Sequence, residues 1–218
     1  DPIMHRTKLL NIMARRSNKE ILINCDTDIL LKKIQYIKAY ELIQNGNDFI
    51  YPYSGRFIGI SKQEQKQKIL DTTSVEWLNE EDGDFMCNNS VGGIIFYKRS
   101  SFLAAGMENE NFKSWGFEDN ERWERFNKLG YKILRLPDCL YHLSHPGSLN
   151  SNNITSNQYK LNEVEYNKVK SMNKEEKLVE QKKTPNTKLL EILTTSSTVA
   201  IPVAFVLYLL QENSYGKT

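Results

Sequence analysis

The sequence predicts an α/β domain built on a mixed or mainly parallel sheet, and three observations carry that expectation. Apolar runs of strand length alternate with segments of helical period. Gly or Pro stands at the ends of these segments. The alternation holds until about residue 150, where the composition changes. No internal repeat is visible.

Taken in order, residues 5–16 place Leu9, Leu10, Ile12 and Met13 at helical spacing, with basic residues filling much of the rest. This helix leads into a strand over 20–24. Residues 31–44 read as an amphipathic helix, with Ile34, Ile37 and Ile43 on one side and Gly46 as its stop. A second strand covers 48–53 and contains Pro52. Residues 61–71 are polar with a helical pattern, and 78–89 form a polar, acidic connection around Gly83. The run VGGIIFYK, 91–98, predicts a third strand whose leading glycines permit close approach of a backbone or ligand. A short helix over 100–105 closes at Gly106. Residues 118–129 give the strongest helix: acids crowd its first turn, Trp123, Phe126 and Leu129 recur at three-residue spacing, and Gly130 marks the stop. A fourth strand, 131–136, ends at Pro137.

After Ser148 the chain turns to Asn, Ser, Lys and Glu, with no apolar period until Leu161. The expected division is a core domain over 1–150 and a polar, helical extension over 151–218. That extension holds one apolar segment, VAIPVAFVLYLL at 199–210. Its 12 residues fall short of the ~20 a spanning helix needs, and Pro202 interrupts them. A buried, oligomer-burying or peripheral membrane segment is the expectation.

With 218 residues the chain can bury a sizeable core, and 39% hydrophobic against 26% charged residues is a globular balance. A net charge of +2 from 29 basic and 27 acidic residues gives no field suited to nucleic acid, so no nucleic-acid partner is expected. Cys25, Cys87 and Cys139 are odd in number and lack CxxC spacing. They favour a reducing compartment over a disulfide framework or a cysteine zinc site. The N-terminal DPIMHRTKLL has no signal-peptide core. A cytoplasmic setting, at the inner face of the membrane if 199–210 touches it, is expected. The richness in Lys, Asn and Ile hints at an AT-rich bacterial genome.

Three clusters have chemistry to offer. Asp26 and Asp28 flank Thr27 immediately after the first strand, where ligands of open α/β sheets bind. They suit a hard cation such as Mn²⁺ or Mg²⁺, or else they cap the next helix. His142 and His145, in YHLSHP, are two of only three histidines. They offer imidazoles to a mixed N/O metal site, or stand as loop histidines. Glu118 and Asp119 open the best helix, where the macrodipole alone would favour acids. Trp115 and Gly116 just before them give an aromatic ring on a hinge, the combination that lines a sugar site.

In this order, HRTKLLN, DTD, VGGIIF, WGFED and HLSH resemble the GT-A-fold glycosyltransferases. The likeness is strongest to the β-1,4-galactosyltransferase group, with polypeptide N-acetylgalactosaminyltransferases and bacterial polysaccharide polymerases more distant. The resemblance covers roughly residues 5–145. It implies a Rossmann-like mixed sheet flanked by helices, and a metal-dependent enzyme moving galactose or N-acetylgalactosamine from a UDP-sugar to a glycan hydroxyl with inversion. Polysaccharide or glycoconjugate synthesis is the implied setting. By the same resemblance Asp28, His142 and His145 hold Mn²⁺ (or Mg²⁺), and Asp26 meets the ribose or donor sugar. Arg6 approaches the diphosphate, Gly92 and Gly93 lie beneath the donor sugar, and Trp115 closes over it. Glu118 binds the acceptor and Asp119 is the base. His142 stands where galactosyltransferases often have methionine, which makes the pair more like the HxxH of the N-acetylgalactosaminyltransferases. The domain is expected to lack the first strand and helix that hold the uracil base. That shortfall keeps open a non-catalytic sugar- or nucleotide-binding module or partner subunit, and the same Asp and His residues leave open a metal-dependent hydrolase or nucleotidyltransferase.

Overall fold

The computed structural model describes residues 3–145, 157–173 and 175–176. In chain order the elements are α1 (Arg6–Arg16), β1 (Ile21–Cys25), β2 (Ile29–Leu30), α2 (Lys33–Gln44), β3 (Phe49–Tyr51), β4 (Phe57–Ile60) and α3 (Gln63–Thr72). A 3-10 turn at Glu80–Asp82 precedes β5 (Asp84–Cys87), β6 (Ile94–Lys98), α4 (Arg99–Ala104), α5 (Glu118–Leu129), β7 (Ile133–Arg135), β8 (Leu140–Leu143) and α6 (Asn157–Ser171).

The strands form two four-stranded sheets, ordered β1-β6-β3-β7 and β2-β8-β4-β5. Only β3–β7 and β4–β8 run parallel, while the other four pairings are antiparallel. A mixed sheet is therefore what forms, and a mainly parallel one is not. The second sheet has no counterpart in the sequence-predicted strands. Of its members, β2 is two residues long, too short for a period-2 pattern to register, and β5 is exposed along its whole length. The polar connection expected over 78–89 contains that edge strand.

The chain crosses between the sheets at places that matter for the site. Asp26, Thr27 and Asp28 link edge strand β1 of one sheet to edge strand β2 of the other. Residues 88–93, with both leading glycines, link β5 to β6. The Asp26 N–H donates to the Gly93 carbonyl at 2.8 Å, and Leu143 N–H donates to the Asp28 carbonyl at 2.8 Å. The aspartates, the glycines and the histidine strand are thus tied together through backbone alone.

The main core lies between the first sheet and helices α2, α4 and α5, and includes Ile43, Phe49, Ile50, Phe96, Phe102 and Phe126. The Phe49 and Phe126 rings stack at 3.9 Å and 16°, a contact worth about 1 kcal/mol beyond burial. It seats α5 on β3. A smaller core of Ile58, Ile60, Leu78, Cys139 and Tyr141 lies on one face of the second sheet. Arg125 of α5 is fully buried. Its guanidinium pairs with Glu121 at 2.7 Å and donates to the carbonyls of Ala105 and Met107 at 2.6 and 2.7 Å, fixing the loop between α4 and α5. Among the described residues no helix is long and apolar enough to cross a membrane. The apolar segment 199–210 lies outside the described residues.

Candidate active site

The polar cluster follows the carboxyl end of β1, where the two sheets meet, and it brings together Arg6, Asp26, Glu118, Asp119 and Gly92, with Asp28, His142 and His145 at its edge. At its outer edge Asp28 Oδ2 lies 3.3 Å from His142 Nε2 and 3.0 Å from His145 Nε2. The three ligand atoms all fall within 4.8 Å of one another. The His142 hydrogen bond is the largest effect holding the Asp28 carboxyl below its ordinary pKa, although partial burial opposes it. One carboxylate oxygen and two imidazole nitrogens are a donor set that Mn²⁺ accepts. His142 Nδ1 is buried with no hydrogen-bond partner among the described residues, so Nε2 is the nitrogen this ring presents. The site fits a divalent ion.

Next to it stands Arg6, largely buried, with its guanidinium bonded to Asp26 and 3.5 Å from Glu118 Oε1. Burial works against the Arg6 charge, but Asp26, Asp119 and Glu118 hold the guanidinium above its ordinary value. Asp26 is pushed up chiefly by burial, with Arg6 opposing. The helix α1 thereby joins the DTD turn to the WGFED loop.

That loop is backbone-strained. Ser114, Gly116 and Phe117 all have positive φ, at 57°, 116° and 68°. Left-handed non-glycine residues cost about 1–3 kcal/mol each and cluster at functional sites. With Phe117 capping α5 and no side-chain cap present, Glu118 Oε2 turns back to accept the Gly116 N–H at 2.9 Å. Glu118 is 5% exposed. Burial, reinforced by the neighbouring Asp119 and opposed by Arg6, pushes its carboxyl up to about 7.

Asp119 faces Gly92. A Cβ built on Gly92 would lie 2.7 Å from Asp119 Oδ2, so only glycine leaves the carboxylate its place. The Tyr53 hydroxyl donates to the Gly92 carbonyl at 2.5 Å and holds that turn. Gly93, at φ 79°, packs against Ile29, Phe57 and Leu140. It supports the floor of the cluster rather than lining it.

Trp115 is 37% exposed and stacks on Tyr159 of α6 at 5.7 Å and 18°. Phe117 packs on Tyr159 and Tyr166. Asn162, buried at 1% exposure, donates to the carbonyls of Lys113 and Trp115 at 2.8 and 3.3 Å and accepts the Lys113 N–H at 3.4 Å. Sequence reading did not anticipate this role for α6, because Tyr159 and Tyr166 lie in a polar stretch and their partners Trp115 and Phe117 are distant in the chain. Nor did it find Tyr53, Glu108 or Arg122. Of these only Arg122 left a signal, its (i, i+3) spacing from Asp119.

The fold, a mixed α/β arrangement of two small sheets flanked by helices, is GT-A-like. A family model described as the N-terminal domain of galactosyltransferase matches residues 78–146, a span that holds VGGIIF, WGFED and HLSH. Among solved structures, the chain is similar to the catalytic domain of Drosophila β1,4-galactosyltransferase 7 in complex with xylobiose. The identity is 16% and the TM-score 0.51, over 75% of this chain and 62% of that one. It is also similar to GalNAc-T7 with UDP, GalNAc and Mn²⁺, at 13% identity and a TM-score of 0.50, over 74% of this chain and 34% of that one. The chain thus spans less than two thirds of the length of either. A comparison with curated protein sequences returns no match. The chain resembles the galactosyl- and N-acetylgalactosaminyltransferases of the GT-A fold.

Proposed function

We propose that this chain is a divalent-metal-dependent glycosyltransferase. In this reading it moves galactose or N-acetylgalactosamine from a UDP-sugar to a glycan hydroxyl with inversion, in polysaccharide or glycoconjugate synthesis. The observation that carries the reading is the meeting of a three-ligand metal cluster, Asp28, His142 and His145, with the carboxylates Glu118 and Asp119 through Arg6, Asp26 and Gly92. The family match and the likeness to structures holding UDP, GalNAc and Mn²⁺ or xylobiose support it.

A bound divalent ion supplies charge neutralisation to the departing diphosphate. The chain's own residues do the rest. Arg6 is placed to meet the diphosphate beside Asp26. Glu118 holds an acceptor hydroxyl by hydrogen bonding. Asp119 Oδ2 takes the proton from the attacking hydroxyl, whose oxygen bonds to the anomeric carbon as the bond from that carbon to the diphosphate breaks, and UDP leaves. Trp115 covers the donor sugar and excludes water. The three cysteines are free, which suits the cytoplasmic setting this reading takes.

The test is UDP release from UDP-galactose and UDP-N-acetylgalactosamine with Mn²⁺, with and without glycan acceptors. Release that rises with acceptor and stops on chelation supports transfer. Free sugar formed at the same rate without acceptor would make the protein a hydrolase, and binding without release would make it a non-catalytic module.

A further inference from the structure

We infer that Arg122 is a positioning residue that sets the catalytic orientation of Asp119, an inference that rests on the reading of Asp119 as the proton acceptor. Arg122 lies one helical turn after Asp119 on α5 and is 2% exposed. Its Nη2 donates to Asp119 Oδ1 at 2.5 Å and to the Val91 carbonyl at 3.3 Å. Its Nη1 donates to Glu108 Oε1 at 2.9 Å. Glu108 is itself held from three sides. Its N–H donates to Asn11 Oδ1 at 2.9 Å, its carbonyl accepts from Asn11 Nδ2 at 2.9 Å, and Tyr97 donates its hydroxyl to Oε1 at 3.3 Å. The guanidinium is therefore clamped to α1, to β6 and to the turn leading into VGG before it reaches the site.

The consequence for Asp119 is geometric. One oxygen is held by a charge-assisted bond to a buried, immobile donor, and such bonds are shorter and stronger than neutral ones. The other oxygen is thereby directed to the surface of Gly92, where a Cβ would come within 2.7 Å. A carboxylate with one fixed oxygen and one free oxygen presents the free one in a single direction, which is what proton abstraction from an aligned hydroxyl requires. Burying a cation with two carboxylates is a poor route to stability, since packed apolar residues often serve as well or better. The network fits an orienting role better than a stabilising one.

The experiment is a double-mutant cycle in the full chain. Arg122→Met alone would leave Glu108 buried without its counter-ion, so the main variant is Glu108→Gln/Arg122→Met, with Arg122→Lys as a charge-retaining companion. Expected is a fall in kcat of about tenfold or more with the KM for the UDP-sugar little changed, and an intermediate loss in Arg122→Lys. In the Asp119→Asn background the same changes should cause no further loss, because Arg122 acts through Asp119. An equal loss in that background, or a loss confined to KM, overturns the inference. A crystal structure of Arg122→Lys supplies a readout free of turnover: Asp119 should leave its place against Gly92, and an unmoved carboxylate overturns the inference too. If the wild-type chain transfers no sugar, the functional reading fails, while the structural arm still decides whether Arg122 orients Asp119.

Discussion

Glu118 and Asp119 are neighbours in one helical turn, yet their surroundings differ. Glu118 is buried, bonded to the Gly116 N–H and beside Arg6. Asp119 has one oxygen on Arg122 and one against Gly92. Asp119→Asn keeps the Arg122 contact and removes the proposed proton acceptor. Its kcat should drop by about 10²–10⁴-fold while calorimetry with UDP and Mn²⁺ shows retained donor binding. Full activity would remove Asp119 from the base role. Glu118 gives a pH prediction. Its carboxyl moves from 4.5 to about 7 on folding, so the folded state binds its proton more tightly than the unfolded chain does. The stability it contributes is complete below about pH 4.5 and is lost as pH rises through 7. Glu118→Gln, which cannot ionise, should flatten the decline in thermal midpoint between those pH values and raise the midpoint above pH 7. An unchanged pH slope would contradict the assigned cause.

The WGFED loop is shaped at the scale of elements, by α6 on one side and α1 on the other. Gly116 sits at φ 116°, and a Cβ there would meet the Tyr159 ring at 2.7 Å. Gly116→Ala should therefore cost about 1–3 kcal/mol from the backbone alone, with further loss from displacing Tyr159. Denaturant unfolding of Gly116→Ala with and without Tyr159→Ala measures the two parts. A smaller cost for Gly116→Ala in the Tyr159→Ala background identifies the ring as the obstacle, and strict additivity rules it out. This is also where the sequence was least legible. The helices α1, α2 and α5 and the longer strands of the first sheet announced themselves by period and by their Gly and Pro ends. The motifs in VGGIIF, WGFED and HLSH were readable because their chemistry is local. The second sheet was not readable: β2 has two residues, too few to show alternation, and β5 buries no side chain that would mark an inner face. Nor were Tyr159 and Asn162, since their partners lie more than forty residues earlier in the chain and only tertiary packing brings them together.

Across the whole molecule the site lies on the seam between the two sheets. Asp26 follows β1 of one sheet, while Asp28 precedes β2 and His142 lies within β8 of the other. A ligand held by both groups therefore joins two sheets whose main covalent links at this end are short turns. Binding to the native state alone stabilises it by about 2.7 kcal/mol at a ligand concentration 100 times Kd. For a domain of this size that corresponds to a rise in midpoint of about 5–10 °C. UDP and Mn²⁺ together should produce a shift of this order, and each alone a smaller one, if Arg6 and the Asp28 cluster hold the diphosphate and the ion side by side as proposed. Asp28→Asn keeps the backbone bond from Leu143 N–H to its carbonyl but loses a charged ligand. It should lower the ligand-free midpoint slightly, by the loss of the charged contacts to His142 and His145, and abolish the Mn²⁺-dependent increment. An equal shift by UDP in the presence of a chelator would separate nucleotide binding from the metal cluster and take the Asp28, His142 and His145 group out of the donor site.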